Sequence, residues 1–168
     1  MRTKSYVSSE LSQLIIQQIS KEQYNANLYL AMCSFFDNKG LKNTSKWFKH
    51  QYEEETNHGK LLFDYLIDSG VSVCPIEVNK PVVNGSTSIE LIDQYSQAER
   101  DTTDSIKKMC DQALDDSDYI SFHFLSDLIY QQKDEEEEST LLQNVYKLSN
   151  NEVLSDHQVP DLFPSFFK

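Results

Sequence analysis

The stretch Trp47-Phe48-Lys49-His50-Gln51-Tyr52-Glu53-Glu54-Glu55-Thr56-Asn57-His58-Gly59-Lys60-Leu61-Leu62-Phe63-Asp64-Tyr65-Leu66 decides how the rest of the chain is read. Helical periodicity places Phe48, Tyr52, Glu55, Leu62 and Leu66 on one stripe, so a carboxylate stands where a core residue belongs. His58 follows three residues later. Side chains at i and i+3 leave the same helix face, close enough to share one ion. Burying a carboxylate beside an imidazole is costly unless a cation compensates. An inward-facing Glu-x-x-His pair on a bundle helix is one way to build a carboxylate-bridged metal site.

The neighbouring segments repeat the pattern. Ser8 or Ser9 caps a first helix ending near Asn38-Lys39-Gly40, with the stripe Leu11, Ile15, Gln18, Glu22, Asn25 or Ala26, Tyr29, Cys33, Phe36. Thr44 or Ser45 caps the second helix, which runs to Ser69-Gly70, and the short connection makes the two antiparallel neighbours. Ser86 or Ser88 caps a third, with Ile89, Ile92, Ser96, Glu99, Thr103, Ile106, Cys110 and Ala113 inward. Asp115-Asp116-Ser117-Asp118 breaks it and caps a fourth, whose stripe is Phe124, Leu128, Gln131 or Gln132, Glu135, Glu138 or Ser139, Leu142, Val145. At about 1.5 Å per residue Glu99 and Glu135 fall at matching heights on an antiparallel pair. Glu22 and Glu55 match less well across Gly40, and tilt or the reach of His58 has to absorb the difference.

Between the second and third helices, Val71 to Thr87 contains Pro75, Pro81 and the turn signal Asn84-Gly85. Fully extended, this segment reaches roughly 55 Å against roughly 40 Å for the preceding helix, enough to start the third helix parallel to the second. Its valines fit either an extended segment that pairs with another copy or a loop packed on its own bundle. After Leu148 the pattern stops at Ser149-Asn150-Asn151, and Pro160 and Pro164 leave room for only a stub of helix. Phe163, Phe166 and Phe167 then have to pack on the bundle or on a neighbouring subunit. The expectation is an all-α chain, one domain over 1–168, with the bundle over about 8–148 and a tail over 149–168.

A net charge of -12 argues against nucleic acid as a partner and is compatible with cations. No run approaches a membrane span, and Met1–Ser9 lacks the apolar region of a secretory signal. Cys33, Cys74 and Cys110 are odd in number and have no Cys-x-x-Cys spacing, which suits reduced thiols in a cytoplasmic protein, most simply as small apolar filler.

Each helix thus brings one mid-helix Glu inward. Four unshielded carboxylates at one depth repel each other and raise their pKa values, so either they are protonated or cations sit among them. Oxygen-rich ligation with one imidazole suits iron or manganese, and the absence of thiolates disfavours a structural zinc. His50, His123 and His157 have no paired ligand at metal spacing and read as surface or satisfied core histidines. Trp47 reads as packing.

The segments around Glu22 and Tyr29, the run Glu54-Glu55-Thr56-Asn57-His58 with Leu62-Phe63-Asp64-Tyr65-Leu66, the lone Glu99, and Tyr119 through Glu136 together resemble the non-haem bacterial-type ferritins over roughly residues 8 to 148. That resemblance implies a ferritin-like four-helix bundle with a long crossover between the second and third helices and a short C-terminal tail or fifth-helix stub. It implies a di-iron centre without haem: Glu22, Glu55 and His58 on the first iron, and Glu55, Glu99 and Glu135 on the second. Gln132 lies beside the second iron and Tyr29 near the first. A weaker third iron site falls on Glu54, Asp134 and Glu135, with Gln131 standing where a Glu is usual. The implied activity is iron storage with ferroxidase chemistry, Fe²⁺ being oxidised by O₂ or H₂O₂ and Fe³⁺ deposited in a hollow 24-subunit homo-oligomer. A rubrerythrin-like peroxidase or a haem-carrying bacterioferritin normally shows a second Glu-x-x-His, where this chain has Gln132-x-x-Glu135. A non-catalytic structural bundle would not place a Glu at the centre of every core stripe.

Overall fold

The first helix starts where its cap requires: the Ser8 hydroxyl accepts from the Leu11 N–H, and α1 spans Ser9–Asn38. In the computed structural model, which describes residues 5–74 and 77–167, α2 (Lys42–Asp68), α3 (Ser88–Asp115), α4 (Tyr119–Leu148) and α5 (Glu152–Leu162) follow. Gly40 and Gly70, with φ of 78° and 81°, close α1 and α2. In each case the next residue's N–H returns to a carbonyl five back, Leu41 to Phe36 and Val71 to Leu66. Thr87, between the two serines expected to cap α3, does so in a capping box with Glu90. Asp118 caps α4.

Helix direction follows from the contacts. Lys21, Asn25 and Tyr29 of α1 bond to Ser105, Thr102 and Glu99 of α3, so those two run antiparallel. His58 meets Glu135 and Tyr65 meets Ser121, so α2 and α4 do as well. The order is up-down-down-up, and the crossover reaches from one end to the other. It lies on its own bundle: the Tyr24 hydroxyl accepts from Val82 N–H, Gln94 donates to the Val82 carbonyl, and the Ser20 hydroxyl donates to the Glu77 carbonyl. No strand forms in it among the described residues, and Pro75 lies outside them.

Two hydrocarbon clusters occupy the ends of the bundle. One is built around Met32, Phe36, Trp47, Phe48 and Tyr95, the other around Leu11, Ile15, Leu62, Leu66, Ile106 and Leu125. The polar layer between them carries Glu22, Glu55 and Glu99. The stripes shift slightly from the sequence reading: Met32 and Met109 are buried, whereas Cys33 and Cys110 are half-buried at cluster edges and Cys74 is exposed rather than filler.

Two expectations are corrected. Thr44 and Ser45 do not cap α2; the helix starts at Lys42, and its first N–H groups are capped from far along the chain by Asp156 of α5. The tail also forms more than a stub. Asn151 accepts from the N–H groups of Val153 and Leu154 and starts an eleven-residue α5 that carries on through Pro160. Pro160 falls in its last turn and cannot donate to the Asp156 carbonyl. The Asn43 side-chain amide donates to that carbonyl instead, at 3.1 Å, so the proline leaves no orphan. The tail aromatics pack on the bundle: Phe163 stacks on Trp47 at 3.7 Å between centroids, and Phe166 lies on His50.

Candidate metal centre

The four inward glutamates reach one layer because the helices that carry them approach closely there. Gly59, one residue after His58, is buried, and a Cβ at this position would stand 2.9 Å from the Gln23 amide nitrogen and 3.6 Å from the Glu22 Cβ. A glycine inside a helix costs about 1 kcal/mol relative to alanine, and here it lets α1 and α2 close up beside the centre. Despite the height difference expected between them, the Glu22 and Glu55 carboxyl groups lie close enough to act on one another.

Glu55, His58 and Glu135 bring ligand atoms within 4.8 Å of each other. His58 Nε2 is 3.2 Å from a Glu135 oxygen. Glu22 and Glu99 flank this group, and their charges act on Glu55. The compact trio therefore draws from both sets of ligands that the resemblance implies. Glu99 is held on both oxygens: Tyr29 donates to one at 2.5 Å and Gln132 to the other at 2.7 Å. Gln132, not Gln131, faces inward. Gln18 donates to one oxygen of Glu22 at 2.8 Å. The remaining oxygens of Glu22 and Glu55 are buried with no partner among the described residues.

Protonation follows from that burial. Removal from water, and then the charges of Glu22 and Glu99, hold the Glu55 carboxyl well above the usual range. Burial and the neighbouring Glu99 push Glu135 up to about 9. Burial raises Glu99 to about 7 against the opposing hydrogen bonds from Tyr29 and Gln132. The Tyr29 hydroxyl, fully buried beside Glu99, is likewise shifted well upward. Lys21 lies half-buried nearby and donates to the Ser105 hydroxyl, and burial lowers its pKa. Such a carboxylate set is short of positive charge and hydrogen-bond donors, which is the environment a cation would complete.

Of the residues read as a weaker third site, Glu135 belongs to this layer and the others sit outside it. Glu54 is half-buried and Gln131 and Asp134 are exposed, at an opening that also exposes one side of His58 and Glu135. Sequence reasoning put Gln18 and Glu138 on inward stripes without a role beside the centre, and passed over Gly59. Gln18 could have been noticed, standing one turn before Glu22 on its stripe. Gly59 carried a signal too, as a lone helical glycine beside a candidate ligand. Burial, with Asp134 and Glu54 nearby, raises Glu138 to about 7.

The ferritin-like domain model matches residues 12–148. The chain belongs to this family. It is 32% identical over 130 residues to a bacterial non-heme ferritin of Campylobacter jejuni, covering 77% of this chain and 78% of that one. To a bacterial non-heme ferritin of Staphylococcus epidermidis it is 28% identical, with the same coverage of both chains. Among solved structures, an open pore ferritin from the hyperthermophilic archaeon Archaeoglobus fulgidus superposes with a TM-score of 0.87 at 26% identity, over 92% of this chain and 97% of that one. The ferritin-like four-helix bundle is thus established for this chain, and it contains a carboxylate–histidine group able to hold metal. No described helix is long and apolar enough to cross a membrane.

Proposed function

We propose that this ferritin-like protein stores iron and acts as a ferroxidase, with two Fe²⁺ ions as substrate in the polar layer. Glu22, Glu55 and His58 hold the first ion, and Glu55, Glu99 and Glu135 hold the second. Two Fe²⁺ each give one electron, and O₂ with two protons leaves as H₂O₂, or H₂O₂ with two protons leaves as two waters. Gln132 and Tyr29 orient Glu99 through their hydrogen bonds, so that its oxygens stay aimed into the layer. Carboxylates suit this substrate because they change between terminal, bidentate and bridging modes as the ion's charge rises, which lets product leave. The observation that carries this reading is the pair of buried glutamates, Glu22 and Glu55, with unpartnered oxygens beside His58.

Storage requires a container, and the surface supports further copies as partners. Tyr119, Ile120 and Tyr130 on α4, with Leu148, Val153 and Leu154, leave large apolar side chains in water. The assembly we propose is the hollow 24-subunit homo-oligomer that the resemblance implies.

The test is aerobic Fe²⁺ addition to wild type, Glu22→Ala and Glu135→Ala, followed by the absorbance of the ferric product, with particle size measured in parallel. Both variants are expected to lose the fast phase. Equal rates in all three would remove the ferroxidase assignment, and a small particle would remove the container while leaving the site.

A further inference from the structure

The α1–α3 face of the bundle carries a groove of about 330 Å³ whose polar lining is Gln17, Gln18, Lys21, Ser105 and Lys108, with no carboxylate. In a chain of net charge -12, this patch has the opposite sign. Lys21 is the one lysine among the described residues that is not exposed. Lys39, Lys42, Lys107, Lys133 and Lys147, all in water, each meet a carboxylate at 2.6–3.4 Å. Half-buried Lys21 meets none among the described residues. Its Nζ donates to the Ser105 hydroxyl at 2.8 Å, and that hydroxyl donates onward to the Asp101 carbonyl at 2.9 Å. The Asp101 carboxylate, whose charge acts on Lys21 most, lines the neighbouring groove beside the crossover and accepts from Gln97 instead. Two of the three Lys21 donors are thus left without a partner among the described residues. A cation drawn out of water with no counter-ion is costly, and an anion in the groove would relieve that cost.

We propose that this groove is an oxyanion site for inorganic phosphate, held by Lys21 with Lys108 and Gln17, and that its occupation strengthens cation binding in the polar layer. A tetrahedral oxyanion presents acceptors on every side, so it takes the free Lys21 donors and those of exposed Lys108 and Gln17 together. Ser105 is a positioning residue that fixes the Lys21 ammonium at the groove. No aromatic ring lines the groove, so nothing there would stack a nucleobase. The coupling follows from position. Gln18, 3% exposed, lines the groove and donates to Glu22 at 2.8 Å, so a single side chain links the two sites. The Lys21 charge acts on Glu22, Glu55 and Glu99, and therefore opposes a cation placed among them. An anion on Lys21 cancels that opposition, and a cation in the layer lessens the repulsion its carboxylates exert on the anion. These are one coupling, equal in both directions. The anion site stands apart from the ferroxidase reading, whereas the coupling rests on that reading's claim that the layer holds divalent cations.

The experiment titrates metal-free, full-length protein with inorganic phosphate by calorimetry at low, constant ionic strength. It compares wild type with Lys21→Gln, Lys21→Arg, Lys108→Gln and, as a control, Lys49→Gln, an exposed lysine on α2 outside the groove. Lys21→Gln is expected to bind phosphate about tenfold more weakly and Lys108→Gln about threefold, with Lys21→Arg and Lys49→Gln within about twofold of wild type. Lys21→Arg keeps the charge in place, so it separates a lost contact from a disturbed fold. Visible absorbance of added Co²⁺ then reads the layer, with sulfate as a tetrahedral stand-in that keeps Co²⁺ in solution. Compared with chloride at equal ionic strength, sulfate should tighten Co²⁺ binding about threefold in wild type and leave Lys21→Gln unchanged. Equal phosphate affinity in wild type and Lys21→Gln would overturn the site, as would a Lys21→Arg as weak as Lys21→Gln. AMP binding more tightly than phosphate would overturn the assignment to a free oxyanion. Sulfate that leaves Co²⁺ affinity unmoved in wild type would overturn the coupling. If Co²⁺ binds the wild-type layer in neither salt, the ferroxidase reading has failed, and the metal-free titration still decides the anion site.

Discussion

At the N-terminus of α2, Asp156 is a buried acid with every need met: it accepts from Asn43 N–H at 3.3 Å, from Thr44 N–H at 2.7 Å and from the Thr44 hydroxyl at 2.8 Å. Halfway along the same helix Glu55 is equally buried, yet one of its oxygens has no donor among the described residues and its neighbours are the acids Glu22, Glu99 and Glu135. The first carboxylate sits where helix N–H groups and the positive end of the helix dipole welcome an anion. The second sits where the helix offers it nothing, because mid-helix N–H groups are already bonded. Burial alone therefore does not mark a functional acid. What distinguishes the two is the supply of donors, and an unsupplied acid among acids is a place for a cation.

Exchanging each acid for alanine should separate the two roles most sharply. Glu55→Ala is expected to slow iron oxidation by about 100-fold, because in the proposed arrangement both ions share it, while Asp156→Ala leaves oxidation of a single small Fe²⁺ addition within about twofold of wild type. Stability should run the other way. Asp156→Ala frees two buried N–H groups and a hydroxyl and should cost about 2–4 kcal/mol in denaturant unfolding, whereas Glu55→Ala in the metal-free protein should cost less than that or be neutral. An Asp156→Ala protein that oxidises iron as poorly as Glu55→Ala would erase the distinction.

A pH series tests the same contrast with a somewhat smaller effect. Glu135 and Glu99 are raised to about 9 and about 7 in the folded chain, and Glu55 is raised as well. A carboxyl raised on folding contributes stability that is fully present below its unfolded pKa, near 4.3, and is lost as pH climbs through the folded value. The metal-free protein should therefore melt at progressively lower temperature between about pH 5 and pH 9. Saturating Co²⁺ should flatten or reverse that slope, since the ion binds the deprotonated ligands. Calorimetry with chelator and with Co²⁺ gives both curves, and a flat metal-free curve would mean the acids of this layer are better satisfied than their contacts indicate.

Much of this was legible in the sequence because period and spacing report it directly. Glu22, Glu55 and Glu99 interrupt apolar stripes, and all three are buried; Glu135 is mostly so. The helix ends at Gly40 and Gly70 were readable from glycine's tolerance of positive φ. Ser117 was harder, since it adopts φ 55° without being glycine and closes α3 in the same way. What stayed hidden depends on pairings distant in the chain. Asp156 lies more than a hundred positions from the helix it caps, and the rule that proline ends a helix does not foresee Asn43 taking over the carbonyl that Pro160 leaves. The environment of His50 was hidden because the ring it stacks on, Phe166, comes from the tail.

The smallest change is the most discriminating about why Asp156 succeeds. Asp156→Asn keeps the shape and one acceptor oxygen, and asparagine is as good a cap as aspartate in isolated helices. It removes the negative charge from the positive end of α2 and turns one acceptor into an NH₂ group facing donors at Asn43 and Thr44. The charge contributes about 0.3–1 kcal/mol at a helix terminus, so a loss of about 1 kcal/mol, read as a lower denaturant midpoint with unchanged slope, is expected. A loss as large as that of Asp156→Ala would show that charge dominates the contact. No loss would show that one well-placed oxygen suffices, with Thr44 keeping a partner in the Tyr146 hydroxyl at 2.7 Å, and the contrast with Glu55 would then be one of donor geometry alone.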